Sequence, residues 1–321
     1  MLSALRAGFR SLARNWGLVV FVLLANLGFA LVLAVPLASE LDRSLEGLGA
    51  SGGMMYGFDF DWWAERSDGQ SGPASASAPD LLGNGFASRN LELLLRGGLP
   101  AGLFAPSGHL GVDPTILGVG ALYMLLQVLL AGGLLGVFRA PRGGWTVRGL
   151  AYGAGFYFGR LFRVSLLALI SAGLLFAANA PFARWVDALA REAVSGRTAI
   201  ALTFGRYALL LLGLVLVHMV SSYAKVLVVC EERLSAGLAF LSSAGFCARN
   251  LRAALGQYVV VLVVGAVLLA LFGALDARFA VVGWKSQLVA LALFEAFVAA
   301  RVALRLGLLA SQVELHAARG R

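Results

Sequence analysis

Six long apolar runs, each of about 18 residues or more and carrying few charges, dominate the sequence from residue 17 to residue 309. At about 1.5 Å of rise per residue, a helix of that length crosses a hydrocarbon core of about 30 Å. Inside such a core no water is available to an open strand edge, so the backbone must satisfy its own hydrogen bonds and helices follow. The runs at 17–37, 115–138, 164–182, 198–229, 258–275 and 286–309 are therefore read as six transmembrane helices. With 60% hydrophobic and 13% charged residues, the chain falls outside the soluble globular class. The expected fold class is all-α, a polytopic helical membrane bundle of about six spans with one further amphipathic helix at the cytoplasmic interface.

The formal charge of +9 raises the question of nucleic acid, but the arginines lie beside the apolar runs and carry no set of polar or aromatic base readers. Topology accounts for them, and no nucleic-acid partner is expected. Arg6, Arg10 and Arg14 stand at four-residue spacing, so a helix puts them on one side, towards anionic headgroups. Residues 139–163 hold five arginines and no acid, and 225–252 and the C-terminus are basic too. Segments 38–114, 184–197 and 276–285 alternate with these. Under the positive-inside rule both termini are cytoplasmic, as expected for a bacterial inner-membrane protein.

The chain divides into a cytoplasmic N-terminus with the first span (1–37), an extracytoplasmic acidic loop (38–114), and a five-helix bundle (115–321) carrying a cytoplasmic amphipathic segment at 231–252. The first run is too long for a secretory signal core, so it reads as an uncleaved span. Asn26 in its middle is expected to hydrogen-bond a neighbouring helix. Cys230 and Cys247 read as buried free thiols, since two cysteines at this spacing form neither a CxxC motif nor a disulfide framework.

In the acidic loop, Tyr56 to Trp63 brings aromatic rings together with Asp59, Asp61, Trp62 and Trp63, a composition suited to the membrane–water interface or to a binding lip. Asp59 and Asp61 have the spacing of metal ligands but lack further ligands nearby, so no metal and no cofactor is assigned. Residues 86–96 read as a short amphipathic helix.

Polar residues within spans carry a cost unless they are paired, and they are the intramembrane candidates here. They are Gln127, Arg206, His218 and Glu295. Glu295 lies near the middle of the sixth run, where Arg206 or His218 is its expected partner in an ion pair or a functional site. Arg301 and Arg305 can snorkel to the interface. Gly118, Gly120, Gly132, Gly133 and Gly136 suggest close helix approach, and Pro181 is expected to end the third span.

The segment 225–257 reads as one long amphipathic helix. A wheel gathers Leu234, Leu238, Leu241, Gly245, Ala248 and Leu255 on a broad apolar face that extends round to Phe240, Ala244, Cys247 and Leu251. Glu231, Ser235, Ser242, Ser243, Arg249 and Asn250 fall on the other. Such a helix lies in the membrane surface or offers a partner contact, with Glu231, Leu234, Gly237, Leu238, Leu241 and Arg249 as its candidate residues.

No HExxH, Gly-x-Ser-x-Gly, Walker or dinucleotide fingerprint occurs. The order of apolar run, Glu231, Ser242-Ser243 and Ala248-Arg249-Asn250 before the fifth span resembles six-span bacterial proteins related to the membrane domain of glycerophosphodiester phosphodiesterases. Gly132-Gly133 and the Arg301–Arg305 pair are similar to the same group. The resemblance covers the five distal spans and implies a membrane-embedded module without catalysis. Glu231 and Gly237, six apart, also resemble the cytoplasmic helix by which permease subunits of ATP-driven transporters dock on their ATPase. Here Glu232 and Arg233 replace the two alanines of that motif. Three functional readings follow: a non-catalytic assembly or partner-binding module contacting lipids and other membrane or peripheral proteins, a permease subunit requiring an ATPase, or a lipid-binding or lipid-modifying protein.

Overall fold

The computed structural model describes residues 1–45, 114–140, 144–276, 278 and 284–319. Among the described residues the regular elements are eight α-helices: α1 (Leu2–Arg14), α2 (Gly17–Leu45), α3 (Pro114–Arg139), α4 (Val147–Glu192), α5 (Gly196–Cys230), α6 (Ala236–Arg249), α7 (Leu251–Asp276) and α8 (Trp284–Arg319). Five of these (α3, α4, α5, α7 and α8) are long and apolar enough to cross a membrane, and α1 with Gly17–Val32 forms a pair bent by 76° that counts as a sixth if the two are taken as one span. In α7 the most apolar window of 18 residues has none buried, and Leu262 and Val267 stand 64% and 53% exposed. Only hydrocarbon covers such a surface without penalty, so the chain is a multi-pass helical membrane protein.

Several boundaries differ from those the apolar runs imply. α4 runs unbroken from Val147 to Glu192, so the arginine-bearing stretch from residue 147 continues directly into the third span. Pro181 lies within it instead of ending it. A proline removes its own N–H from the ladder and its ring crowds the carbonyl four residues back, and the helix continues across it with Ala183 and Val186 buried and Phe182 stacked on Trp185. The expected single helix over 225–257 is three pieces, since α5 stops at Cys230 and Asn250 separates α6 from α7.

The chain forms two compact units. One comprises Met1–Phe29, Leu125–Leu167 and His218–Arg321, and the other Ala30–Met124 and Ala168–Val217. In the second, a Cβ at Gly213 of α5 would stand 2.8 Å from the Leu175 side chain of α4, so the missing side chain brings these helices together. Arg206 is buried there and its guanidinium meets Asp187 of α4 at 3.3 Å.

In the first unit, Leu18, Val22, Leu135, Leu161, Val226 and Leu306 belong to one buried cluster drawn from α2, α3, α4, α5 and α8. Lipid tails are as apolar as leucine, so the drive to associate comes from close packing, and small residues mark the tightest crossings. A Cβ at Gly133 of α3 would lie 2.6 Å from the Leu150 carbonyl oxygen of α4, and one at Gly132 would lie 2.9 Å from the Gly153 carbonyl. Gly118 and Gly120 have nothing within 4 Å. Gln127 on α3 donates to Asn26 on α2 at 3.0 Å, the interhelical bond expected of Asn26. α1 packs along α8 through Ala4, Leu5, Gly8 and Leu12, with Arg6, Arg10 and Arg14 exposed on its free side.

Candidate functional site

The link between α5 and α6 gathers a dense set of polar contacts. Its Glu232 has φ 54°, in the left-handed region that side chains other than glycine rarely adopt. Such a conformation costs on the order of 1 kcal/mol or more and persists where the surroundings over-determine it. Arg139, the last residue of α3, supplies much of that constraint. Its Nη1 meets Glu232 Oε1 at 2.8 Å, donates to the Val229 carbonyl at 2.9 Å, and reaches the Tyr157 hydroxyl of α4 at 3.1 Å. The Val229 carbonyl sits in the last turn of α5, which lacks intrahelical donors, so one guanidinium caps α5 and holds α3, α4 and the link together. Arg160 Nη1 also donates to the Glu232 carbonyl at 3.4 Å.

Glu231 binds the opposite way. Its carboxylate accepts from Arg233 Nε and lies 3.1 Å from His316 Nε2 in the last turn of α8. Arg233 continues to the Ser242 hydroxyl of α6 at 2.6 Å, and Ser235 caps α6 by accepting the Leu238 N–H. The polar residues of the stretch are thus consumed as caps and clasps that set the position of α6.

On α6 the buried residues are Ala236, Ala239, Ser243, Phe246 and Cys247. Ser243, assigned by the wheel to the polar face, is buried and donates to the carbonyls of Val220 and Phe240. Cys247, assigned with the leucines, belongs to the docked side instead. The reason is size: alanine and serine allow α6 to approach α5 closely, and a serine hydroxyl can be satisfied by a nearby carbonyl. Leu234, Leu238 and Leu241 point the other way, 73%, 62% and 70% exposed. Gly237, Gly245, Ala248 and Arg249 are exposed with them.

Burial pushes the Cys247 thiol up to about 12. Burial therefore holds the thiol protonated and poorly nucleophilic. In a Cys230→Ser background, maleimide at pH 8 is expected to leave Cys247 unmodified in the folded protein and to modify it after denaturation. Modification of the folded protein within an hour would mean that α6 lifts off.

Above the link lies a buried network missed from the sequence. Tyr223 donates to Gln257 Oε1 at 2.8 Å, and Gln257 Nε2 to the Ser311 carbonyl at 3.1 Å. Ser222 donates to Gln312 Oε1 at 2.7 Å, and Gln312 Nε2 to the Tyr258 hydroxyl at 3.0 Å. These bonds join α5, α7 and α8 and satisfy each glutamine in both roles. Spacing alone carries little sign of it, because the partners are 34 to 90 residues apart.

The intramembrane candidates have different surroundings. Within its unit Arg206 pairs with Asp187, and it lies over the Tyr207 ring at 4.5 Å. The three-residue turn between α4 and α5 brings Asp187 and Arg206 onto facing helices. His218 meets Tyr258 edge-on at 5.8 Å, and its carbonyl accepts from Ser221. Glu295 is half-buried on α8, and among the described residues of its unit it makes no ion pair with His218. Gln127 is occupied by Asn26. No group of three or more possible metal ligands occurs among the described residues. Asp59, Asp61, Trp62 and Trp63, and the helix expected at 86–96, lie outside the described residues.

Fold and site together define a helical membrane protein that presents a clamped amphipathic helix. No protein-family model, curated protein or solved structure matches the chain.

Proposed function

We propose that this chain is a non-catalytic inner-membrane module, with both termini cytoplasmic, that binds a membrane or peripheral protein through the leucine face of α6. The observation that carries the reading is the exposure of Leu234, Leu238 and Leu241 on a helix whose opposite face is fixed to the bundle. Leucines in that arrangement form the anchors of a helix-in-groove contact. Clamping by Arg139, Glu232 and Arg233 removes much of the ordering cost that a free helix meets on binding.

The test is affinity purification from native membranes in mild detergent, comparing the intact chain with Leu238→Glu/Leu241→Glu. Both side chains are exposed, so the variant should keep the helicity and elution volume of the parent. A bound membrane or envelope protein is expected to fall about tenfold or more with the variant. An ATPase lost in the same way would favour the permease reading, which uses the same face of α6. Equal recovery from both proteins, or no partner from either, would remove the partner-binding reading.

A further inference from the structure

Where α1 meets α2 the chain turns through 76°. A groove of about 400 Å³ opens at this corner, within the size range of small-molecule sites. Its floor is Gly17, Val20, Phe21 and Leu24, successive positions on one face of α2, and its side wall is Trp145. Arg14 and Trp16, both exposed, stand at its mouth.

The groove is built, not incidental. Asn15 is buried at the corner, where its Oδ1 accepts the backbone N–H of Trp145 at 3.0 Å and its Nδ2 donates to the Ser11 carbonyl at 2.9 Å. The Trp145 indole occupies the space a side chain at residue 17 would need, since a Cβ there would lie 2.6 Å from its Nε1. Phe21 packs 6.1 Å from the same indole.

We propose that this groove binds one anionic glycerophospholipid, with its phosphate at Arg14 and an acyl chain laid along Gly17, Val20, Phe21 and Leu24. Charge and direction both select that occupant. The cation sits at the end of an amphipathic helix that has no acidic residue, and Arg10 and Arg6 extend the positive stripe along its exposed side. The slot then follows a span for about 10 Å, from the interface towards the hydrocarbon. Two exposed or half-exposed tryptophans flank the mouth, at the depth where indoles favour the headgroup region. A phospholipid is charged at one end and apolar along its length, as the groove is. The proposal is independent of the α6 face.

Native mass spectrometry of the full chain in detergent tests it, with phosphatidylglycerol and phosphatidylcholine of identical chains as probes. The first phosphatidylglycerol is expected to bind more tightly than the first phosphatidylcholine. Arg14→Gln should weaken phosphatidylglycerol about fivefold and phosphatidylcholine by less, because the choline cation offsets the charge of the same phosphate. Val20→Trp fills the slot and should weaken both. If that variant fails to fold, the exposed Arg14→Gln decides alone. Unchanged phosphatidylglycerol affinity in Arg14→Gln would overturn the proposal, as would a dimer that Val20→Trp abolishes, since a second copy would then occupy the slot.

Discussion

Replacement of Gly8 by valine is expected to detach α1 from α8. A Cβ at this position would stand 2.6 Å from the Cα of Ser311, and the obstacle is backbone in the middle of a helix, which cannot rotate aside as a side chain can. The contact is close from both sides, because a Cβ at Gly307 would collide with the Phe9 ring. Overpacking typically costs about 1–3 kcal/mol, and a clash with backbone belongs at the upper end. Valine's helix propensity exceeds that of glycine by only a few tenths of a kcal/mol, so it does not offset the clash. Trypsin should then cut at Arg6, Arg10 or Arg14 under conditions where the parent resists, and melting in detergent should fall. Ala13→Val, on the exposed side of α1, should change neither. Resistance of Gly8→Val to trypsin would show that α1 docks some other way. The same variant should weaken phosphatidylglycerol binding, and because Ala4 shares a buried cluster with Phe246 and Cys247 of α6, it should also open Cys247 to maleimide.

How far such contacts could be read from the sequence depends on what each signal measures. Hydropathy found the spans because length and apolarity are what a hydrocarbon core demands. Asn26 and Gln127 stood out because a polar group there needs a partner, and they found each other. The glycines of α3 were half legible. Gly132 and Gly133 make close approaches, whereas Gly118 and Gly120 face open space, and composition cannot tell one use from the other. α6 failed more instructively. The wheel ranks faces by hydrophobicity and so assigned Leu238 and Cys247 to one surface, but helix docking in this protein selects for size. The small face, Ser243 included, went inward and the leucines outward.

Ion pairs were the least legible feature. Arg206 found Asp187 because a short turn places both helices side by side, which no rule of intramembrane depth anticipates. Glu232 and Arg233 counted only as departures from a transporter motif, yet they are what fixes the start of α6. Arg139 looked like one basic residue among five, and its role required knowing that the ends of α3 and α5 meet.

That meeting gives Gly133→Val a long reach. Its Cβ would lie 2.6 Å from the Leu150 carbonyl and closer than contact to the Leu150 side chain, so α3 must move away from α4. The expected loss is about 3 kcal/mol, from packing that hydrocarbon does not replace. Displacement of α3 carries Arg139 with it, and with Arg139 go the cap on the Val229 carbonyl and the clamp that holds Glu232 in its left-handed conformation. Gly133→Val should therefore lower the melting temperature, open Cys247 to maleimide and reduce recovery of any α6 partner, although it lies on a different helix from either reporter. Gly118→Val in the same helix meets nothing within 4 Å, and it removes a residue that helices disfavour by about 1 kcal/mol relative to alanine. It should be neutral or slightly stabilising by the same three measurements. If Gly133→Val lowered stability yet left Cys247 protected and partner recovery intact, α6 would be held by its small docked face and the Glu231 contacts alone, without the Arg139 clamp.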